Sequence, residues 1–257
     1  MGVRVTDTSL LEHLEQRLPP ASRVSDTPSV EGLFSVLGGS ASKKSNVRRY
    51  HILYANSVML ARTLNAAEVL DEFESFLHLY VAARSRQKLF VHAGAVGWNG
   101  RAILLPGPSH SGKSSLVAEL VRRGATYYSD DMVPLDRHGR VHAYPKPLML
   151  RSESGRQRLR PEDLGGVAGR DPLPVGAIVL ANYRPGARWR PRKLTPGDAM
   201  LSVLSNTVPV RRRAGDSLSI LGLAIANASN VWKGARGEAY EMAPALLSKA
   251  MSSKEVS

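Results

Sequence analysis

Residues 107–114, Gly107-Pro108-Ser109-His110-Ser111-Gly112-Lys113-Ser114, satisfy the spacing G-x-x-x-x-G-K-[ST]. The spacing suits a triphosphate, because backbone N–H groups can curl round the phosphates while the following helix turns its positive end toward them. In that pattern Lys113 reaches the β- and γ-phosphates and the Ser114 hydroxyl is placed on magnesium. The expected nucleotide contacts are therefore Gly107, Ser109, His110, Ser111, Gly112, Lys113, Ser114 and Ser115. His110 stands where glycine is common, and its side chain either touches a phosphate or faces solvent.

Asp130 and Asp131 form the second chemical feature. One carboxylate can hold magnesium. Two adjacent ones allow a division of labour, one on the metal and one taking the proton of an attacking hydroxyl. The alternative is a single metal ligand beside a turn or cap residue.

Elements of the right kind surround both features. LFVHAGAV and RAILLPG read as strands separated by the turn GWNG, SSLVAELVRRG reads as a helix ended by Gly124, and ATYYS reads as a short strand ending at the aspartates. Further on come a buried strand at 175–183, a helix opened by TPGD from 195, and two helical runs near the carboxyl end. This alternation predicts an α/β domain.

The segment from His92 to Asp136, HAGAVGWNGRAILLPGPSHSGKSSLVAELVRRGATYYSDDMVPLD, resembles the catalytic domain of HPr kinase/phosphorylase. It is more similar still to the shorter HPr kinase-related proteins, some of which phosphorylate peptides in lasso-peptide pathways. The resemblance continues more weakly through YPKPLML (144–150), the strand at 175–183 and the helix TPGDAMLSVLSN. It implies a mixed-sheet P-loop domain of the HPr kinase/PEP carboxykinase type, using ATP and magnesium to phosphorylate a serine hydroxyl. It puts Asp130 as the base and Asp131 as a metal ligand beside Ser114, with the exchange of the two roles left open. It also puts His92 near the transferred phosphate. Lys146 is either a phosphate or acceptor contact or an ordinary surface lysine. Two features of the enzyme proper have no counterpart: a Glu-x-Arg-Gly segment after the aspartates, and a clear arginine loop, although Arg211–Arg213 lie in the right third of the chain.

The implied acceptor is a peptide or small protein, and a homo-oligomer is among the assemblies the resemblance allows. Two other readings of the same residues are a nucleotide-binding or ATP-hydrolysing module without an acceptor, and a kinase for a small metabolite.

Composition narrows the rest. The absence of cysteine excludes disulfides, thiolate metal sites and cysteine nucleophiles. No apolar run approaches the roughly 18–20 residues that cross a bilayer, and no signal-peptide pattern opens the chain, so a cytoplasmic protein without a membrane span is expected. The net charge of +13 favours anionic partners. Its basic clusters at 43–49, 184–193 and 210–213 lack the interleaved aromatics of a single-strand binder, so no specific nucleic acid is expected and each cluster reads as a solvated loop surface.

Upstream, residues 1–87 are expected to form a small α+β module and 88–257 the P-loop domain. In the module, a short helix capped by Ser9 with Glu12 in a capping box is predicted, then a hairpin loop over 38–49. A single strand through YHILYANSVML and a helix from Asn65 to about Ser85 complete it.

Overall fold

The computed structural model describes residues 1–27, 29–39, 49–152, 155–208 and 214–251. They fall into two compact units, Met1–Arg84 and Ser85–Ser257. The basic stretches 43–48 and 210–213, including Arg211–Arg213, lie outside the described residues.

In the first unit, strands β1 (Gly2–Val5), β2 (Leu33–Leu37), β3 (His51–Ala55) and β4 (Val58–Thr63) form one sheet in that order. β1 runs parallel to β2, and the other pairs are antiparallel. Helices α1 (Leu11–Glu15) and α2 (Ala66–Arg84) supply the remainder. Leu10 and Leu14, Phe34, Val36 and Leu53 from the sheet, and Val69, Leu70, Phe73 and Leu77 from α2 bury into one core. The rings of Phe34 and Phe73 meet edge-on, 5.9 Å apart.

Two local expectations are corrected in this unit. The first helix is not capped by Ser9: the Asp7 carboxylate accepts from the Ser9 N–H at 3.1 Å and the Ser9 hydroxyl at 2.7 Å, starting a 3-10 turn that precedes α1. An ionised acceptor two residues upstream outcompetes the serine. The stretch 50–60 is two strands, because Asn56 takes a positive φ of 53° and turns the chain. Asparagine tolerates this conformation better than other side-chain-bearing residues. At the start of α2, as expected, the Asn65 side chain accepts from Ala67 N at 2.9 Å, and Glu68 bonds the Thr63 hydroxyl.

The second unit is built on β5 (Leu89–Trp98), β6 (Arg101–Pro106), β7 (Thr126–Ser129), β8 (Met132–Leu135), β9 (Arg140–Val141), β12 (Leu173–Tyr183), β13 (Arg192–Lys193), β14 (Thr207–Val208) and β15 (Asn230–Arg236). These make a mixed sheet with the path β13-β15-β12-β6-β5-β8-β9, and β7 and β14 also pair with β5. β6, β12 and β15 are mutually parallel, whereas β5 runs antiparallel to β6. A separate hairpin joins β10 (Leu148–Ser152) to β11 (Gly155–Leu159).

Helices cover both faces. Leu89, Val91, Ala93 and Ala95 alternate along β5 toward a core shared with α4 (Pro196–Leu204) and α5 (Ala214–Asn227). The opposite face packs on α3 (Lys113–Arg122) and α6 (Ala239–Met251), through Leu116, Val117, Leu120, Met242 and Leu246. Gly94 permits this approach, since a Cβ there would lie 2.6 Å from a Val117 methyl.

The fold is thus mixed α/β, with helices on both sides of a mixed sheet. Two elements differ from the sequence reading. The GWNG turn narrows to Asn99-Gly100, both at positive φ, and Gly97 and Trp98 stay in β5. A parallel strand, β15, separates the two carboxyl-terminal helices. Its composition, NVWKGAR, has neither clean alternation nor a continuous apolar run to announce it.

Candidate functional site

β5 organises the site through a change of partners halfway along. Its first half pairs with β8 on one side and β14 on the other, and its second half pairs with β7 and β6. His92 sits at the changeover. Its N–H donates to Asn206 O at 2.7 Å, and its carbonyl accepts from Gly107 N at 3.4 Å, where the chain leaves β6 for the glycine-rich loop. Asp130 and Asp131 fill the matching gap between β7 and β8, with Asp131 O accepting from Ala93 N at 3.0 Å. The alternation of β5 therefore places His92 on the same face as α3, beside both the loop and the aspartates.

The loop itself curls at two residues of positive φ, His110 at 67° and Gly112 at 83°. Gly112 is required twice over, by its left-handed backbone and because a Cβ would fall 2.2 Å from Arg236 Nη2. Ser111 N donates to Pro108 O at 3.3 Å, and Tyr183 N at the end of β12 donates to Ser111 O at 3.4 Å. Arg236 is 2% exposed and donates from Nη2 to Gly112 O at 2.6 Å and from Nη1 to Gly237 O at 2.7 Å. The guanidinium thus fixes the start of α3 from behind.

Three features of the loop suit an anionic ligand. Gly112 begins α3 without a side-chain cap, leaving the first-turn N–H groups without that partner. The Ser111 hydroxyl is buried and has no hydrogen-bond partner. Lys113 donates to the carbonyls of Gly107 at 2.8 Å and Pro108 at 2.7 Å, folding back over the loop. Burial lowers its pKa, an effect opposed by the charges of Asp131 and Asp130. A loop with free donors, an orphan hydroxyl and a desolvated ammonium fits a phosphate chain.

The two aspartates have different surroundings. Asp130 is 3% exposed and accepts from the Tyr127 hydroxyl at 3.1 Å, with Ser114 near enough to help hold its pKa down. Burial raises its pKa, the nearby Lys146 charge opposes the rise, and the charge of Asp131 adds to it. Asp131 has a side chain 36% exposed; its Oδ1 lies 3.1 Å from His92 Nε2, and its Oδ2 accepts from Lys146 Nζ at 2.8 Å. Burial alone would raise its pKa, but the His92 hydrogen bond and Lys146 together bring it well below the usual carboxylate range. Lys146 is held by its own backbone, whose carbonyl accepts from the Tyr127 hydroxyl at 2.7 Å.

His92, Asp131 and Lys146 are therefore one contact group, and Tyr127 with Asp130 is another. Ser109 and His110 lie at the exposed lip of the loop, and Ser115 is exposed on the first turn of α3. Arg236 and Tyr127 had no signal in the sequence: neither belongs to a short motif, and Arg236 lies 124 residues from the glycine it holds. Among the described residues no three His, Asp or Glu side chains cluster as a ready-made metal site. No described helix is long and apolar enough to cross a membrane.

Solved structures with a similar fold over much of the chain include an HPr kinase/phosphatase. It is the HPr(Ser) kinase/phosphatase from Coxiella burnetii, with 14% identity, a TM-score of 0.35, and coverage of 62% of this chain and 91% of that one. No protein-family model and no curated protein matches the chain.

Proposed function

We propose that the chain is an ATP- and magnesium-dependent kinase whose acceptor is a serine hydroxyl on a peptide or small protein. The observation that carries this reading is the contrast between the aspartates. Asp131 is accessible and contacted by His92 and Lys146, while Asp130 is buried beside the Tyr127 hydroxyl. The sequence resemblance of residues 92–136 supports the same reading.

Residues of the loop would hold the nucleotide: the N–H groups before and within the first turn of α3, the hydroxyl of Ser111, and Lys113. Ser114 and Asp130 would hold magnesium. Bound there, ATP supplies the phosphoryl group and magnesium spreads its negative charge.

Asp131 is then the proton acceptor, which exchanges the roles first assigned to the pair. His92 and Lys146 orient its two oxygens and keep it ionised. As the serine oxygen bonds to the terminal phosphorus, its proton passes to Asp131 and the bond to the leaving diphosphate breaks. A weakly basic carboxylate suffices, because phosphoryl transfer is mostly positioning and the hydroxyl proton leaves late.

The test is incubation with labelled ATP, magnesium and serine-containing peptides, comparing the wild type with Asp131→Asn. Transfer to serine that falls by at least about a hundredfold in the variant, with ATP affinity retained, is the expected result. ATP binding or hydrolysis with no transfer to any acceptor would make the protein a nucleotide-binding module. Transfer to small alcohols in preference to peptides would make it a metabolite kinase.

A further inference from the structure

Past Tyr183, which is bonded to the phosphate loop, the chain turns through Gly186 at φ 70° and returns as the short edge strand β13. This arm lies close over β15. A Cβ on Gly234 would come within 3.2 Å of Pro191 Cα, and one on Gly237 within 2.4 Å of the Ala187 carbonyl. Two glycines thus let the arm settle against the sheet, so its side chains are presented from a packed support.

The arm and the strands beneath it enclose a basin of about 310 Å³ lined by Asn182, Arg184, Arg190, Arg192 and Lys233. All five are exposed. Arg184, Arg190, Arg192 and Lys233 make no ion pair and no side-chain hydrogen bond with any described residue. The carboxylate nearest in sequence, Glu238, is taken by the Tyr183 hydroxyl at 2.7 Å. Four like charges round one hollow repel one another and concentrate anions there. The register places the hollow close to the phosphate loop: β12 is the direct neighbour of β6, and β15 the next strand out. At roughly 4.8 Å per strand, its centre lies on the order of 10 Å from the end of β6.

The geometry points to a docking site for a carboxylate-bearing segment of a peptide or protein, seated on Arg184, Arg190, Arg192 and Lys233. Calling that segment part of the acceptor rests on the kinase reading; its recognition does not. Guanidinium groups pair carboxylates bidentately, and Asn182 adds a neutral donor at the rim. A nucleic-acid strand is a poorer fit. Trp189, the aromatic residue of the arm, is partly buried against the core, and its indole nitrogen is enclosed, so it offers no open stacking platform.

The experiment is fluorescence anisotropy of labelled hexaglutamate with the full chain, at salt of about 0.05 M and about 0.5 M. The basin pair Arg190→Glu with Arg192→Glu is compared with the control pair Arg122→Glu with Arg170→Glu. The control makes the same charge change at the other end of the sheet, at the close of α3 and ahead of β12. Hexaglutamate affinity is expected to fall at least about tenfold in the basin pair and at high salt, by less in the neutral pair Arg190→Gln with Arg192→Gln, and little in the control. ATP affinity is expected to stay unchanged throughout. No binding by the wild type, or equal loss in basin and control pairs, overturns the proposal. So does a parallel loss of ATP affinity, which would make the basin part of the nucleotide site. Tighter binding of labelled oligothymidylate through the same arginines would assign it to nucleic acid instead. Because docking is read by binding and the kinase reading by Asp131→Asn, each can fail without the other.

Discussion

Arg236 on β15 donates a 2.6 Å hydrogen bond to the carbonyl of Gly112, the residue that starts α3. A buried guanidinium thereby sets the conformation of the glycine-rich loop from behind it. Arg236→Met is expected to lower stability by about 1.5–3 kcal/mol, the range for a hydrogen bond to a charged group, and to weaken ATP binding. Arg236→Lys is not expected to restore binding, since one ammonium cannot serve both the Gly112 and Gly237 carbonyls as the planar fork does. Thermal melts and calorimetric ATP titrations check both.

Gly112→Ala meets two obstacles, the φ of 83° and the Arg236 nitrogen 2.2 Å from the new Cβ. The left-handed backbone alone costs about 1–2 kcal/mol. ATP affinity is expected to fall more than about tenfold, and Gly112→Ala combined with Arg236→Ala is expected to recover only part of it. Such non-additivity, measured in a double-mutant cycle, is the signature of direct contact.

The two aspartates should separate in a magnesium titration. Asp130→Asn is expected to raise the magnesium concentration for half-maximal transfer, because it removes the charge beside Ser114. Asp131→Asn is expected to lower the maximal rate at saturating magnesium by at least about a hundredfold. An unchanged magnesium requirement in Asp130→Asn would argue against its role as a ligand.

Asp136 ties the turn between β8 and β9. Its carboxylate accepts from His138 N and Arg140 N, from the Arg140 side chain, and from His142 at 3.0 Å. Burial works in the opposite direction, yet these bonds hold its pKa well below the usual range. The folded state therefore binds this proton more weakly than the unfolded chain does. The stabilisation is present above about pH 4 and is lost as pH falls toward the folded value. Asp136→Asn should be less stable than the wild type at about pH 7, with the gap narrowing at about pH 3, as read by urea unfolding.

In the first unit, Phe73 is fully buried and meets Phe34 edge-on. Phe73→Ala should destabilise that unit by about 3–5 kcal/mol, measured by denaturant unfolding.

Legibility in the sequence followed the range of the interaction. The glycine-rich loop, its flanking strand and helix, and the strand ending just before Asp130-Asp131 were readable because each is local: glycines at fixed offsets, apolar periodicity, acids at a strand end. The Thr195 cap of α4 was readable for the same reason. What holds the site together was not. His92 meets Asp131 only because β5 exchanges partners at that point, and Arg236 reaches Gly112 from an unannounced parallel strand. The separate environments of Asp130 and Asp131 depend on Tyr127 and Lys146, whose placement is tertiary. At 184–193 the excess of arginine was plain, but the hollow it surrounds depends on the fit of Gly234 and Gly237 beneath the arm.

A phenol owns one hydrogen, and Tyr127 faces two oxygens that both want it. The Lys146 carbonyl is the nearer, at 2.7 Å, with Asp130 at 3.1 Å. Once that hydrogen has gone to the carbonyl, the buried acid must rely on the Ser114 hydroxyl, on a proton of its own, or on an incoming cation. A hydrogen shared in this way leaves Asp130 the weaker of the two acceptors, and a divalent ion would make up the difference.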